Sequence, residues 1–343
     1  MLGKNLKDLN QRDKMVKAIV TGAAGFIGSH LSKRLEADGY SLLLLDDFSR
    51  GKKRYLDYLD VKTKCMKYDL TNLNNNSDSI FKDVDVVFHI ASKIGGNQYL
   101  HGSPENELSA LQTNLLIDRN VFNACFKHKV PRIVYTSSVS VYNTRQQMEN
   151  NDAKFTEDSI KSTKIDPEGG YGWAKYIGEK QLELLSKVGT NTGIIRIFKS
   201  YGPCDDYSDK SGQVVCSLMR KAINYPKERY VVWGDGTVTR CLVYIDDLID
   251  GIIKVANYTE EESITVNMGG QFPIPIIQLS KYIIKIAGKN IIQEHDMGAP
   301  VGVKSRIPVL ERAKEILNWQ PTTTLEAGLK ETYKWMKHDI TNH

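Results

Sequence analysis

Three glycines at fixed spacing, Gly22, Gly25 and Gly28, restrict this chain more than any other feature of its sequence. They follow a β-branched apolar run, Val16 to Val20, and open an amphipathic run in which Phe26, Ile27, Leu31 and Leu35 recur at helical spacing. The pattern predicts a strand, a tight turn and a helix. In such a turn one glycine permits the sharp bend, one lets a pyrophosphate approach bare backbone, and one lets the helix pack close to the strand. The helix N-terminus then offers unpaired N–H groups and partial positive charge to phosphate. A second strand, Leu42 to Leu45, runs into Asp46 and Asp47, with Asp46 placed 18 residues beyond Gly28. A carboxylate at that distance accepts hydrogen bonds from a ribose 2'-OH and repels a 2'-phosphate, so the stretch reads as a site for NAD in preference to NADP. The nearby Arg50, Lys52, Lys53 and Arg54 weaken that preference.

Strands and helices continue to alternate. Lys64 to Tyr68 reads as a third strand ending at Asp69-Leu70, where the aspartate is placed to meet an adenine edge, and Asn72 to Asn76 as a surface loop. Val84 to Ile90 has the length of a buried strand and ends at Ala91-Ser92. Glu107 to Lys127 reads as a long helix, with Leu108, Leu111, Leu115, Val121, Phe122 and Cys125 as its apolar stripe, and Ile133 to Thr136 as the next strand. The expected fold class is therefore α/β, a Rossmann doubly wound parallel sheet, with ligands at the carboxyl ends of its strands.

From about Lys199 the pattern becomes mixed, with a helix at Val214 to Ile223, a strand at Tyr230 to Trp233, and helices at Leu310 to Leu317 and Leu325 to Trp335. The expected division is a polar extension over 1–15, an NAD-binding domain over 16–198 that recovers a strand and a helix from about 238–268, and a smaller mixed α/β domain over 199–343.

Composition narrows the class. The chain has 343 residues, 41% hydrophobic and 25% charged, as in a soluble globular protein. No run of about 18 apolar residues suggests a membrane span. The start of the chain is polar and basic, which argues for the cytoplasm. Five scattered cysteines, Cys65, Cys125, Cys204, Cys216 and Cys241, suit reduced thiols and offer no metal-binding pairs, so no metal is expected. A net charge of +5 with interleaved signs does not suggest nucleic acid binding.

Two features lie where the chemistry is expected. The strand at Ile133 runs into Ser137-Ser138-Val139-Ser140-Val141-Tyr142, and Tyr171-Gly172-Trp173-Ala174-Lys175 opens a helix. Tyr171 and Lys175 are four apart and share a helical face. A lysine ammonium near a phenol lowers its pKa from about 10 toward neutrality. A tyrosinate so poised takes the proton of a sugar hydroxyl while hydride leaves the same carbon, and Ser138 holds the same oxygen.

With these residues in view, the chain resembles the NAD-dependent epimerase/dehydratase family of extended short-chain dehydrogenases/reductases, which act on nucleotide sugars. The resemblance runs from about Val16 to Trp335 through TGAAGFIGSHL, Asp46, Asp69-Leu70, HIAS, Asn114, SSVSVY, YGWAK, Arg196 with YGP, WGDGTVTR, YIDD and LNWQP. It implies cofactor contacts at Gly22, Gly25, Phe26, Ile27, Gly28, Asp46, Asp47, Asp69, Leu70, Ala91, Ser92, Lys93, Asn114 and Lys175, and catalysis by Ser138, Tyr171 and Lys175 with Ser140 beside them. Arg240 in WGDGTVTR and Arg306 in KSRIP carry over as diphosphate or ribose contacts. A homodimer, with Glu107 to Lys127 and Tyr171 to Leu185 pairing across a two-fold as a four-helix bundle, is also implied.

The segment Ala91 to Gly96 is similar to its counterpart in the GDP-mannose 3,5-epimerases and GDP-fucose synthases, which favours a GDP-linked sugar and contacts at Gly95 and Gly96. Departures from the family pattern separate the possible reactions. Dehydratases carry an acidic pair where this chain has Val139 and Ser140, which argues against 4,6-dehydration. The 3,5-epimerases and fucose synthases place a cysteine at the position of Ser140 and a lysine or histidine within Tyr207 to Gln213. Here Gln213 cannot titrate, while Lys210 lies nearby and either serves that role or is a solvated loop lysine. Lys199 stands where relatives usually have asparagine, and either salt-bridges a phosphate or a substrate carboxylate or points away.

The leading expectation is an NAD-dependent nucleotide-sugar epimerase working through a 4-keto sugar, on a GDP-hexose or GDP-heptose. A C4-dehydrogenase, a 3,5-epimerase using Lys210, and an NAD-binding protein without catalysis are the alternatives.

Overall fold

In this computed structural model the described residues are 15–60, 63–74, 77–150, 152–209 and 211–342. Seven parallel strands form one sheet: β1 (Lys17–Thr21), β2 (Ser41–Asp46), β3 (Lys64–Lys67), β4 (Val86–His89), β5 (Arg132–Ser138), β6 (Asn191–Ile197) and β7 (Ser263–Met268). Their spatial order is β7-β6-β5-β4-β1-β2-β3, so the direction of winding reverses between β1 and β4. That reversal opens a crevice above the strand ends, where ligands bind in such sheets. The central strands are covered on both faces; Ile19, Val20, Val86, Val87, Phe88, Ile133, Val134, Ile194 and Ile195 are buried.

The first turn has the expected geometry. Gly22 adopts φ +67°, and a Cβ there would lie 2.8 Å from the backbone of Ala91. At Gly28 a Cβ would lie 2.0 Å from the Gly22 carbonyl, so the helix α1 (Phe26–Ala37) packs on the turn only because no side chain intervenes.

Helix α2 (Pro104–Lys127) begins three residues earlier than the apolar stripe indicates. Ser103 caps it, accepting from the Asn106 N–H at 3.3 Å, and Pro104 takes the first helical position, where no N–H is needed. Helix α3 (Gly169–Ser186) lies against α2 and carries both Tyr171 and Lys175. The second half of the chain supplies α4 (Val214–Asn224), α5 (Ile245–Asn257), α6 (Ile276–Ala287), α7 (Glu311–Leu317) and α8 (Leu325–Asn342). Four two-stranded pairings accompany them, among them Tyr230–Trp233 with Gln293–Asp296. Helix α5 and strand β7 return to the sheet from this half. Helix α8 runs past Trp335 because its last turns bury Met336 and bring Asp339 against Arg54 and Tyr207.

Helix α3 is fixed to the sheet by a buried ion pair. Arg196 on β6 donates to Glu179 on α3 through Nε (2.9 Å) and Nη2 (2.7 Å), and Ser137 on β5 donates to the same carboxylate at 2.5 Å. Arg196 also donates to the Glu157 carbonyl (2.7 Å) and to the Tyr142 hydroxyl (3.1 Å), which itself donates to Asn267 on β7 at 2.5 Å. Both partners of the pair are at most 5% exposed. Removing one partner leaves the other charge buried and unpaired, at a cost of about 3–5 kcal/mol. Arg196→Ala is expected to lose about that much stability in urea unfolding at neutral pH, and a loss indistinguishable from zero would show that the pair does not anchor α3.

Candidate active site

A cleft of about 830 Å³ runs across the carboxyl ends of the strands. One end is lined by the glycine turn, Phe26, Ile27, Asp46, Asp47, Asp69, Leu70 and the loop Ala91 to Lys93; the other by Gly95, Gly96, Lys199, Gln213, Arg240 and Arg306. Ser138, Ser140, Tyr171 and Lys175 stand between them. The structure thus gathers nearly all the residues singled out in the sequence.

Two do not join them. Asn114 lies behind the cleft wall, 1% exposed. Its side chain accepts from Ser92 Oγ (2.9 Å) and the Lys93 N–H (2.7 Å), and donates to the carbonyls of Lys93 (3.1 Å) and Ala110 (2.8 Å). The amide's hydrogen bonds hold the loop after β4 to α2. Lys210 lies outside the described residues.

At the cofactor end, Asp46 is buried and accepts from the N–H groups of Ala24 (2.9 Å) and Phe48 (2.8 Å). Burial raises its pKa, against the lowering effect of those two bonds. Asp47 is exposed and accepts from Ser49. Asp69 caps the turn after β3, accepting from the Thr71 N–H at 2.9 Å. Two of the four basic residues beyond β2 are held by carboxylates. Arg50 pairs with Asp206 at 2.6 Å, and Arg54 pairs with Asp339 at 2.7 Å while lying over the Tyr55 ring. The expected weakening of NAD preference is thereby reduced, because partners far along the chain neutralise two of these charges.

In the centre, the Tyr171 phenol lines the cleft near Ser138 and Ser92, both of which favour its ionised form. Lys175 Nζ is buried and has no hydrogen-bond partner among the described residues. It rests over the Tyr135 ring, 4.4 Å from its centroid, and lies farther, 6.0 Å, from that of Tyr171. Beneath it, Asp118 accepts from Tyr135 at 2.6 Å and lies 3.0 Å from His89, whose other ring nitrogen meets Thr21 at 2.8 Å. The lowered phenol pKa read from the sequence is not found. Burial pushes Tyr171 well above the usual value, Asp118 and Glu168 add to the rise, and the bonds to Ser138 and Ser92 oppose it. Burial likewise lowers Lys175, against the pull of Asp118 and Glu179.

The residues present fit a dinucleotide. Gly22, Gly25 and Gly28 line the cleft at the start of α1, and Lys175 carries an unsatisfied buried donor, which costs free energy until an acceptor arrives.

At the far end, Arg240 donates to the carbonyls of Thr239 (2.7 Å) and Val303 (3.0 Å) and has no carboxylate partner among the described residues. Lys199, Arg240 and Arg306 influence one another's charge, so the cleft concentrates positive charge here. Burial pulls Lys199 down to about 8, with Arg240 and Arg306 adding to the fall and Asp205 opposing it. Lys199 lines this end of the cleft. Sequence reading missed Glu168, which lines the cleft, pairs with Arg306, and accepts from Ser140 Oγ at 2.9 Å. Its signal was an acidic residue three positions before Tyr171 in DPEGGY.

A dinucleotide turn, a buried Tyr/Lys pair on one helix and a cationic pocket beyond them define a nicotinamide-dependent enzyme of the extended short-chain dehydrogenase/reductase type. The chain belongs to the NAD dependent epimerase/dehydratase family, whose sequence profile matches residues 18–269, and its cofactor is NAD. It is 28% identical over 324 residues to GDP-mannose 3,5-epimerase 1 of Oryza sativa subsp. indica, covering 94% of this chain and 82% of that protein. Among solved structures it is similar to the UDP-glucose 4-epimerase of Thermotoga maritima with UDP-glucose, at TM-score 0.83 and 25% identity, covering 95% of this chain and all of that one. It is also similar to the UDP-glucuronic acid 4-epimerase of Bacillus cereus in complex with UDP-glucuronic acid and NAD, at TM-score 0.81 and 25% identity, covering 94% and 99% of the two chains. Among the described residues no helix is long and apolar enough to cross a membrane.

Asn114→Ala is expected to leave the half-buried Lys93 N–H unpaired and to cost about 1 kcal/mol in urea unfolding, with faster amide hydrogen exchange at Lys93. Unchanged exchange there would show that Asn114 does not hold the loop.

Proposed function

We propose that this protein is a nucleotide-sugar epimerase that works through a 4-keto sugar, on a GDP-linked hexose or heptose. The observation that carries the reading is the Tyr171 phenol lining the cleft with Ser138 and Ser92 near it, and the unpartnered Lys175 ammonium on the same helix. Likeness over nearly the whole chain to a GDP-mannose 3,5-epimerase supports the GDP-linked substrate. The loop after β4 adds to this, since Gly96 N–H donates to the Ser211 carbonyl at 2.8 Å and so ties that loop to the segment Tyr207 to Gln213.

In this reading Asp46 receives the adenosine ribose, the glycine turn and the α1 N-terminus receive the pyrophosphate, and Lys175 donates to the nicotinamide ribose. NAD supplies the hydride acceptor and a positive charge beside the phenol. Tyr171 takes the proton of the sugar 4-hydroxyl, and Ser138 holds that oxygen as its charge changes. Lys199, Arg240 and Arg306 hold the diphosphate, which leaves the sugar free to turn and present the other face of C4. The same tyrosine returns the proton. Leu108 and Leu116 on α2, and Trp173, Ile177 and Leu184 on α3, remain exposed, which supports pairing of these helices with those of a second copy.

Proton NMR of the enzyme with NAD and GDP-mannose tests the reading, with UDP-glucose as the comparison. A C4 epimer is expected, and Tyr171→Phe is expected to lower kcat by at least ~10²-fold with folding intact. An unaffected rate in that variant would exclude Tyr171 as the base. A second expectation concerns pH. Lys199 is cationic below about 8 and neutral above it, so kcat/KM should fall as pH rises through that value, and Lys199→Met should abolish this limb. A limb that persists in the variant would remove Lys199 from diphosphate binding.

A further inference from the structure

Below Lys175 lies a row of buried polar groups that the chemistry of Tyr171, Lys175 and Ser138 leaves unused. It begins at Thr21, the last residue of β1, whose hydroxyl oxygen accepts from the N–H groups of Ile90 and Ala91 at 3.1 Å each. Both lone pairs of that oxygen are then occupied. Its proton goes to Nδ1 of His89 at 2.8 Å, which leaves the imidazole proton on Nε2. Nε2 donates to Asp118 on α2 at 3.0 Å, and the Tyr135 hydroxyl on β5 donates to the other oxygen of that carboxylate at 2.6 Å. Lys175 rests on the Tyr135 ring, 4.4 Å from its centroid. A Cβ at Gly178, one helical turn beyond Lys175, would lie 2.5 Å from the Tyr135 hydroxyl and 2.7 Å from Asp118, so α3 is seated directly on this bond.

We propose that Asp118 is the buried counter-charge that keeps Lys175 an ammonium, a positioning residue that acts through the lysine to set the affinity for NAD. The inference rests on the reading above in which Lys175 donates to the nicotinamide ribose.

The charges around the lysine single out Asp118. Lys175 meets His89 from β4, Tyr135 from β5, Asp118 from α2, and Tyr171 and Glu179 from its own helix. Burial lowers His89 below its usual value against the pull of Asp118, so the imidazole is neutral at pH 7. Burial raises both phenols, so they carry no charge either. The Glu179 carboxylate is engaged by two donors of Arg196 on β6. Asp118 has no lysine or arginine within ion-pair distance among the described residues, and its two hydrogen bonds come from neutral groups. Its charge is left to act on the ammonium. It does so through the low-dielectric interior, where burial lowers Lys175 and Asp118 leads the groups that oppose the fall. It does so also through Tyr135, because a phenol that donates to a carboxylate presents a more negative ring face to the cation resting on it.

The test is the affinity of the full chain, freed of nucleotide, for NAD alone, measured by calorimetry from pH 6 to 10. An ammonium that loses its proton loses its hold on the ribose, so affinity falls as pH rises through the lysine's pKa. Asp118→Asn keeps the size of the side chain and removes its charge. It should move that fall ~1–3 pH units lower and weaken NAD binding at pH 8 by about tenfold. Tyr135→Phe, which keeps the ring and the carboxylate, should move it far less. A purely structural role for Asp118 would weaken binding equally at every pH. A fall at the same pH in wild type and Asp118→Asn, or one displaced equally in the two variants, would therefore overturn the inference. If Asp118→Asn does not fold, carbon-13 NMR of labelled lysines in the nucleotide-free wild-type protein decides, with the Lys175 signal assigned by its loss in Lys175→Met. An ammonium at pH 7 is expected there, and a neutral amine would overturn the inference. Unchanged NAD affinity in Lys175→Met would remove the ribose contact and with it the link from Asp118 to NAD, whatever the charge of the lysine.

Discussion

The active site depends on one buried ion pair, Arg196 with Glu179. Helix α3 carries Tyr171, Lys175 and, just before its first turn, Glu168, whereas Ser138 stands at the end of β5. Nothing in local helix or strand geometry fixes the distance between those two elements. The guanidinium on β6, paired through two donors to the α3 carboxylate and joined by Ser137, does so. A planar fork between two rigid elements tolerates little sliding or rotation. Its extension through Tyr142 and Asn267 to β7 brings the strand that returns from the second half of the chain into the same network.

The cleft pairs a buried centre with ion-paired edges. In the centre, Lys175 sits in the interior with Asp118 as a distant counter-charge and an aromatic face beneath it, and both it and Tyr171 are driven toward their neutral forms by burial. Such a site stores a demand for ligand: the lysine lacks an acceptor and the phenol lacks a close positive charge. At the edges, Arg50 and Arg54 are drawn to Asp206 and Asp339, which binds the loop beyond β2 to the segment over the sugar end and to the C-terminal helix.

The parts legible in the sequence are those set by local periodicity. Three glycines between a strand and a helix allow one backbone path, and a spacing of four places Tyr171 and Lys175 on one face, so both survived translation into the structure. What was misread depends on distant partners. Asn114 follows the family pattern of a cofactor contact, yet all its bonds go to the loop after β4, and no spacing in the sequence reveals that. The positive run from Arg50 to Arg54 reads as phosphate-seeking until Asp206 and Asp339 arrive from far along the chain. Four-residue spacing puts the ammonium on the same face as the phenol but does not say that it rests over Tyr135. Glu168 went unnoticed because its meaning lies in Ser140 and Arg306, contributed by a different strand end and by the last third of the chain.

The claim that this cleft oxidises a sugar at C4 with NAD is tested most directly by rapid mixing of the NAD-loaded enzyme with GDP-mannose while the near-ultraviolet absorbance of reduced nicotinamide is followed. The account predicts a transient rise in wild type that is nearly abolished in Tyr171→Phe. A nucleotide sugar that binds and is converted with no reduced nicotinamide at any time, in either protein, would contradict it.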